Sequence, residues 1–229
     1  MTLNHENECV VLLHGLGRTT SSMGKLEKLL LSRGYETVNF GYPSRREPIE
    51  RIADVHIPAA LAQCRGVSPS KIHFVTHSLG GIILRQYLQS NSLPEGSRIV
   101  MLAPPNRGSE AVDYLRKFFF FRWLTGPAGQ QMGTDPESLP NSLKPIGTGI
   151  GIISGNRSLN PFFSALIPGP DDGRVSVERA KLEEMTDFLV VPSSHTFIMK
   201  NPTVIKQVLH FLEHGIFDHT HKLAGVRPW

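Results

Sequence analysis

One short segment of the chain combines a buried strand, a sharp turn and a helix, and it restricts the fold more than any other. The segment is Thr76-His77-Ser78-Leu79-Gly80. It follows the apolar run 71–75, which is typical of a buried strand, and precedes a helical apolar pattern that starts at Gly81. A serine in so sharp a turn is held in a strained backbone conformation, with its hydroxyl projecting from the edge of the sheet. Ser78 is therefore a candidate nucleophile, although a turn that only links strand to helix would use the same residue types.

The residues two positions before and after Ser78 have to be small, because the turn brings these positions together. Thr76 and Gly80 occupy them, so a threonine stands where the G-x-S-x-G pattern has its first glycine. Because of this substitution, the sequence does not determine the backbone geometry of the turn.

Strands and helices alternate along most of the chain, which predicts an α/β fold with a mostly parallel sheet and helices on both of its faces. Continuous apolar character in several strands indicates that they are covered on both sides. Pro58 should bend or break the second helix. We predict one domain over residues 1–229, with six strands at 9–13, 36–40, 71–75, 98–102, 149–153 and 187–191, and helices at 22–32, 49–64, 202–214 and directly after Ser78.

A long segment between the fourth and fifth predicted strands, residues 107–147, interrupts the alternation. It carries four successive phenylalanines, 118–121, followed by Trp123. A long insertion at such a point is usually functional. An aromatic run can also pack a helix onto the core, but four successive side chains cannot all face inward on one helix. Some of them should face a pocket, a partner or a lipid surface.

Polar residues that suit nucleophilic catalysis follow other predicted strands. The loop His14-Gly15-Leu16-Gly17 comes after the first strand, Asp171 and Asp172 follow the fifth, and His195 follows the sixth. Serine is a poor nucleophile until an adjacent base removes its proton, and that base needs a carboxylate to orient it. The chain therefore presents, in sequence order, a glycine-rich loop, a serine, an acid and a histidine.

These segments together resemble the α/β-hydrolases, and in particular the small enzymes of the lipase and esterase group. The similarity lies in HGLG, THSLGG, LAPPNRGS, DDGRVSVERA and SSHTFIMKNP, and it extends from about Cys9 to Gly215. It implies a serine hydrolase that cleaves carboxylic esters through an acyl-enzyme. It also implies that residues 107–147 are a cap or lid. Because only eight residues precede the first predicted strand, we expect the two N-terminal antiparallel strands common in larger relatives to be missing.

The resemblance also implies a role for each candidate residue. Ser78 would attack the carbonyl carbon, and His195 would accept its proton. The Asp-Gly-x-Val pattern favours Asp172 over Asp171 as the acid. The backbone N–H groups of Leu16 and Leu79 would stabilise the oxyanion. Two further expectations concern aromatic and histidine side chains: Phe119 and Trp123 would bind substrate, whereas His14 would brace its loop and His77 would pack beneath the turn.

Composition narrows the remaining possibilities. A net charge of +4, from 24 basic and 20 acidic residues, is too small and too scattered to indicate nucleic-acid binding. Cys9 and Cys64 are interpreted as small buried apolar residues, since a single possible pair is weak support for a disulfide. No motif calls for a cofactor or a metal.

Residues 1–8 lack a signal pattern, and no apolar run is long enough to span a membrane, so a cytoplasmic location is expected by default. The expected partner is a small-molecule or lipid ester, with contact at a lipid interface allowed and the oligomeric state open. Two alternatives stay open. The same residues could cleave thioesters or amides or transfer the acyl group, as a thioesterase or acyltransferase does, or the fold could serve as a non-catalytic binding protein.

Overall fold

A single parallel sheet organises the protein in the computed structural model, which describes residues 5, 7–64 and 69–220. The strands follow the spatial order β2-β1-β3-β4-β5-β6, and each neighbouring pair is parallel. The ends of the predicted domain and most of residues 1–8 lie outside the described residues. The strands are β1 (Glu8–Leu13), β2 (Glu36–Phe40), β3 (Lys71–His77), β4 (Arg98–Leu102), β5 (Gly149–Gly155) and β6 (Asp187–Val191).

The helices cover both faces of this sheet. Apolar side chains of α2 and α3 pack on one face, and those of α1 and α9 pack on the other. This arrangement explains the continuous apolar character of the central strands, whose residues are buried from both sides. The helices are α1 (Gly24–Ser32), α2 (Ile49–Leu61), α3 (Leu79–Tyr87), α4 (Glu110–Leu115), α5 (Phe119–Gln130), α6 (Leu139–Ser142), α7 (Pro161–Leu166), α8 (Val177–Ala180) and α9 (Pro202–His214).

The predicted six-stranded α/β fold is confirmed, and the strand positions agree to within two residues at each end. The second helix differs from the expectation, because it continues through Pro58 and ends at Leu61 rather than at Cys64. Pro58 lies close to the end of the helix, where the hydrogen bond that a proline cannot donate affects only one turn.

The interpretation of the two cysteines as unpaired apolar residues is wrong. Cys9 at the start of β1 and Cys64 just beyond α2 form a disulfide, with their Cα atoms 5.9 Å apart. The two positions are 55 residues apart in sequence. Spacing alone could not predict the bond, because it depends on how α2 packs against the sheet.

The insertion between β4 and β5 forms α4, α5 and α6. Within α5, Gly126 adopts a φ of 65°, and a Cβ atom at this position would lie 1.7 Å from the carbonyl oxygen of Arg45. Only glycine fits this conformation and this approach. Buried Arg85 of α3 anchors the insertion by donating hydrogen bonds to the backbone carbonyls of Asn106, Pro140 and Leu143.

Candidate active site

Ser78 lies in the turn between β3 and α3, where its backbone is strained. Its φ of 52° and ψ of −119° are unusual for a residue with a side chain. The N–H of Ser78 donates to the carbonyl of Leu102, 2.9 Å away, which fixes the turn against β4. A Cβ atom on Gly80 would lie 2.8 Å from the carbonyl oxygen of Leu13, so this position has to be glycine. Thr76, at the other position that requires a small residue, is fully buried, and its hydroxyl makes no hydrogen bond within the described residues.

His195 connects the serine to an acid through both of its ring nitrogens. Nε2 lies 3.0 Å from Oγ of Ser78, and Nδ1 lies 2.8 Å from Oδ2 of Asp172. All three side chains are buried. Because the ionised carboxylate can only accept, Nδ1 carries the proton and Nε2 is free to accept one from Ser78. The arrangement therefore holds the imidazole in the tautomer that can act as a base toward the hydroxyl.

Asp172 is held in this orientation by the backbone around it. Its Oδ1 atom accepts hydrogen bonds from the N–H groups of Arg174 and Val175, at 3.0 and 2.9 Å. The carbonyl oxygen of Asp172 also accepts from the N–H of His195, 2.9 Å away. These contacts leave Oδ2 to the imidazole and fix the loop after β5 against the loop after β6.

Asp171, the other candidate acid, faces different partners. Its Oδ1 atom accepts from the hydroxyl of Ser164 at 2.8 Å and from the N–H of Gly173 at 2.7 Å. These bonds close a tight turn, for which aspartate is well suited. The structure thus places Asp172, and not Asp171, beside His195.

The two expected oxyanion donors are Leu79, which directly follows the cavity residue Ser78, and Leu16, which lines the cavity. Leu79 is the first residue of α3, so its N–H has no acceptor within the helix. Leu16 follows β1 and lines the cavity together with Ser78. Within the described part of the chain, no hydrogen-bond acceptor contacts the N–H of Leu16. Both N–H groups are therefore available to a bound oxygen atom.

His14 braces the loop after β1, as the sequence suggested. Its ring stacks on that of Tyr42, with 4.1 Å between the ring centroids. Nδ1 donates to the carbonyl of Gly15 at 2.9 Å, and the Tyr42 hydroxyl donates to the carbonyl of His14. Burial lowers the pKa of His14, which favours the neutral ring in this position.

His77 lies closer to the site than the sequence indicated. It lines the cavity, and its Nε2–H donates to the carbonyl oxygen of His195, 3.0 Å away. Burial, and secondarily the charge that His195 would carry, hold the pKa of His77 well below its usual value. His77 therefore stays neutral and positions the backbone of His195. Its place next to Ser78 was the only available sequence signal for this role.

The cavity that contains Ser78 and His195 has a volume of about 80 Å³ and largely apolar walls. The walls come from the loops after the strands and from the insertion. They include Val112, Leu115, Phe121, Thr125, Met132 and Val175. The cavity is much smaller than the roughly 300–1,000 Å³ typical of drug-sized ligand sites.

The aromatic residues expected to bind substrate do not line this cavity. Phe119 and Trp123 are 84% and 80% exposed, and their side chains lie on the outer face of α5. Phe121 is the aromatic residue of this run that is buried and reaches the cavity wall. Successive residues of a helix point in different directions, so Phe121 faces the cavity while Phe119 and Trp123 face outward. Direct contact of Phe119 and Trp123 with substrate stays a prediction.

Across residues 5, 7–64 and 69–220, no group of three His, Cys, Asp or Glu side chains is placed to hold a metal ion. None of the helices described in that part of the chain is long and apolar enough to cross a membrane.

The sequence itself identifies the family. Residues 10–200 match the model of the alpha/beta hydrolase family. Because this match covers well over half of the chain, the chain belongs to that family. No curated protein sequence matches the chain significantly.

Solved structures with a similar fold include lipases and a thioesterase. The mature Bacillus licheniformis lipase BlEst2 has 17% sequence identity and a TM-score of 0.69, with 90% of this chain and 92% of the lipase covered. Phospholipase PlaB from Legionella pneumophila has 16% identity and a TM-score of 0.69, with 91% and 59% covered. The thioesterase RedJ from Streptomyces coelicolor has 15% identity and a TM-score of 0.56, with 90% and 85% covered. At these identities the likeness shows a shared fold.

Proposed function

We propose that the protein is a serine hydrolase that cleaves carboxylic esters through an acyl-enzyme. The observation that carries the proposal is the continuous hydrogen-bonded chain from Asp172 through His195 to Ser78. Ser78 would attack the carbonyl carbon while Nε2 of His195 takes its proton. The imidazolium would then protonate the leaving alcohol, and water would release the acyl group by the same steps.

The oxyanion formed in each step would be stabilised by the N–H groups of Leu16 and Leu79. In related chemistry, one such donor lowers the activation barrier by roughly 3–4 kcal/mol. The narrow apolar cavity favours a short acyl group over a long one, because a long chain would have to leave the cavity or displace its walls.

We further propose that the outer face of α5 contacts a lipid phase near the mouth of the cavity, with residues 107–147 acting as a lid. The support is the exposure of Phe119, Phe120 and Trp123, together with the exposed cations Lys117 and Arg122 beside them. Apolar rings flanked by basic side chains suit the boundary of an anionic lipid surface.

Hydrolysis of p-nitrophenyl acetate, butyrate and decanoate tests the main proposal. We expect the two short esters to be cleaved faster than decanoate. Ser78→Ala should lower kcat by on the order of 10⁴–10⁶-fold, because it removes the nucleophile. Ser90→Ala, at an exposed serine just after α3, is the matched control and should leave kcat unchanged. Full turnover in Ser78→Ala would refute the proposal.

Two further measurements separate the alternative functions. A fluorophosphonate probe should label the wild type, and labelling should disappear in Ser78→Ala and His195→Ala. A wild type that is never labelled would favour a binding protein. Comparing phenyl butyrate with S-phenyl thiobutyrate, with and without an acceptor alcohol, would show whether a thioesterase or acyltransferase describes the activity better.

A further inference from the structure

Two arginines line the cavity that contains Ser78 and His195. Arg18 follows the loop His14–Gly17 and is half-buried, whereas Arg174 follows Asp172 and reaches solvent. They approach the same space from two different loops. Both arginines line the cavity together with His77, and their positive charges contribute to the lowered pKa of that histidine.

Neither guanidinium forms an ion pair within the described part of the chain, although the negative charge of Asp172 acts on Arg174. Among residues 5, 7–64 and 69–220, no ion pair and no side-chain hydrogen bond involves Arg18, and the hydrogen bonds of Arg174 are made by its backbone. Two arginines in or near the insertion are paired by contrast: Arg179 contacts Glu110 at 2.8 Å, and Arg116 contacts Asp135 at 2.9 Å. The two cavity arginines therefore keep their donors free.

The surroundings add positive rather than negative potential. The guanidinium of Arg45 lies 2.5 Å from the position that a Cβ atom of Gly17 would take, directly beside the loop that carries Arg18. The N-terminal end of α3 also faces this region, and helix N-termini favour anions. The carboxylate of Asp172 lies near Arg174, but its oxygens are already engaged by His195 and by the backbone.

We propose that Arg18 and Arg174 bind a phosphate group of the substrate, so that the preferred ester carries a phosphate next to the bond that is cleaved. Guanidinium groups bind phosphate through paired, charge-assisted hydrogen bonds. Two free guanidinium groups that repel each other become stabilised when a dianion lies between them. This inference rests on the proposed ester hydrolysis and names its substrate class.

Three butyrate esters that differ in one substituent test the inference: 4-(butyryloxy)phenyl phosphate, 4-(butyryloxy)benzoate and the neutral 4-(butyryloxy)benzamide. We expect Arg18→Gln and Arg174→Gln each to raise KM for the phosphate ester about tenfold, as the loss of one charge-assisted hydrogen bond predicts. KM for the benzamide ester should change less than about twofold, because the neutral substituent gives a guanidinium no charge to bind.

Arg33→Gln is the matched control. Arg33 is exposed at the end of α1, just before β2, and therefore lies at the opposite edge of the sheet from the cavity. It should leave every KM unchanged. Equal KM changes for the phosphate and benzamide esters in Arg18→Gln and Arg174→Gln would overturn the inference. A response to the benzoate ester that is as large as the response to the phosphate ester would replace phosphate by carboxylate and would also overturn it.

A binding measurement separates this inference from the proposed function. Calorimetry on Ser78→Ala should show 4-(butyryloxy)phenyl phosphate binding about tenfold more tightly than the benzamide ester, and the difference should vanish in Ser78→Ala/Arg18→Gln. Such binding without turnover by the wild type would refute ester hydrolysis and keep the phosphate site. Turnover of the benzamide ester with no arginine-dependent preference would keep the hydrolase and refute the phosphate site.

Discussion

Asp171 and Asp172 are neighbours in the chain, yet their carboxylates have different hydrogen-bond partners and different roles. One closes a turn with Ser164 and Gly173, and the other orients His195. The chemistry of aspartate is the same at both positions. Only the direction of each side chain, set by the loop after β5, separates them.

We expect Asp172→Asn to lower kcat for p-nitrophenyl butyrate by about 10⁴-fold, because the amide would favour the wrong tautomer of His195. Asp171→Asn is the matched control, with the same change of charge one residue away. It should lower the stability of the loop and leave kcat within about threefold, because it does not touch the imidazole. Steady-state kinetics of both variants would decide, and a larger loss in Asp171→Asn would reverse the assignment.

His73 makes the stability of the protein depend on pH. It is buried beside β4, where its Nδ1 atom accepts from the N–H of Arg98 at 3.0 Å, and burial lowers its pKa to about 4. In the unfolded chain a histidine takes up its proton near pH 6.5. As pH falls below that value, the unfolded state binds the proton first, so folded-state stability is present above pH 6.5 and is lost toward pH 4.

We therefore expect the free energy of unfolding to fall between pH 7 and pH 4.5, with about 2 kcal/mol of the loss due to His73. His73→Asn keeps an acceptor and removes the titration, so it should reduce the loss by about that amount. Urea denaturation at both pH values measures it, with exposed His214→Asn as the control. An unchanged pH dependence in His73→Asn would contradict this assignment.

Helix α5 carries two sets of aromatic side chains because the helical period separates neighbouring residues. Phe121 packs inward, and Phe119 and Trp123 point outward on the other side. The sequence predicted that the four phenylalanines could not all be buried, and this is confirmed. It could not tell which of them face inward, since this depends on the residue at which the helix begins.

We expect Phe119→Ser/Trp123→Ser to weaken binding to vesicles of phosphatidylglycerol and phosphatidylcholine at least about tenfold, because each ring that enters the lipid contributes roughly 1.5–3 kcal/mol. Turnover of p-nitrophenyl butyrate in solution should change much less, because neither side chain lines the cavity, and a large loss would instead support the predicted contact with substrate. Leu31→Ser, at an exposed apolar residue of α1, is the control. Equal vesicle binding by the variant and the wild type would refute the lipid contact.

The disulfide between Cys9 and Cys64 ties the start of the sheet to the end of α2. Closing a loop of 55 residues restricts the unfolded chain, which stabilises the folded protein by about 4 kcal/mol in the chain-entropy description. Disulfides persist mainly in oxidising compartments. The bond is therefore unusual for the cytoplasmic location expected from the sequence, which stays an expectation.

We expect Cys9→Ala/Cys64→Ala to lower the free energy of unfolding by several kcal/mol, up to about 4, while ester turnover at 20 °C is retained. Denaturant titration measures the loss. Thiol titration of the denatured, unreduced wild type should detect no free thiol, since both cysteines are bonded. Two reactive thiols per chain would show that the bond does not form.

Local residue patterns were enough to predict the order of strands and helices, the parallel sheet and the three residue types that meet at its edge. Apolar periodicity and the strained turn at Ser78 depend on residues close together in sequence, and such signals can be read from the chain alone. The Asp-Gly-x-Val pattern favoured Asp172 over Asp171. The contact between Asp172 and His195, the inward side of α5, the Cys9–Cys64 bond and the hydrogen bond from His77 to His195 came only from the folded protein. Each depends on contacts between distant segments, whose geometry follows from how helices and loops pack on the sheet.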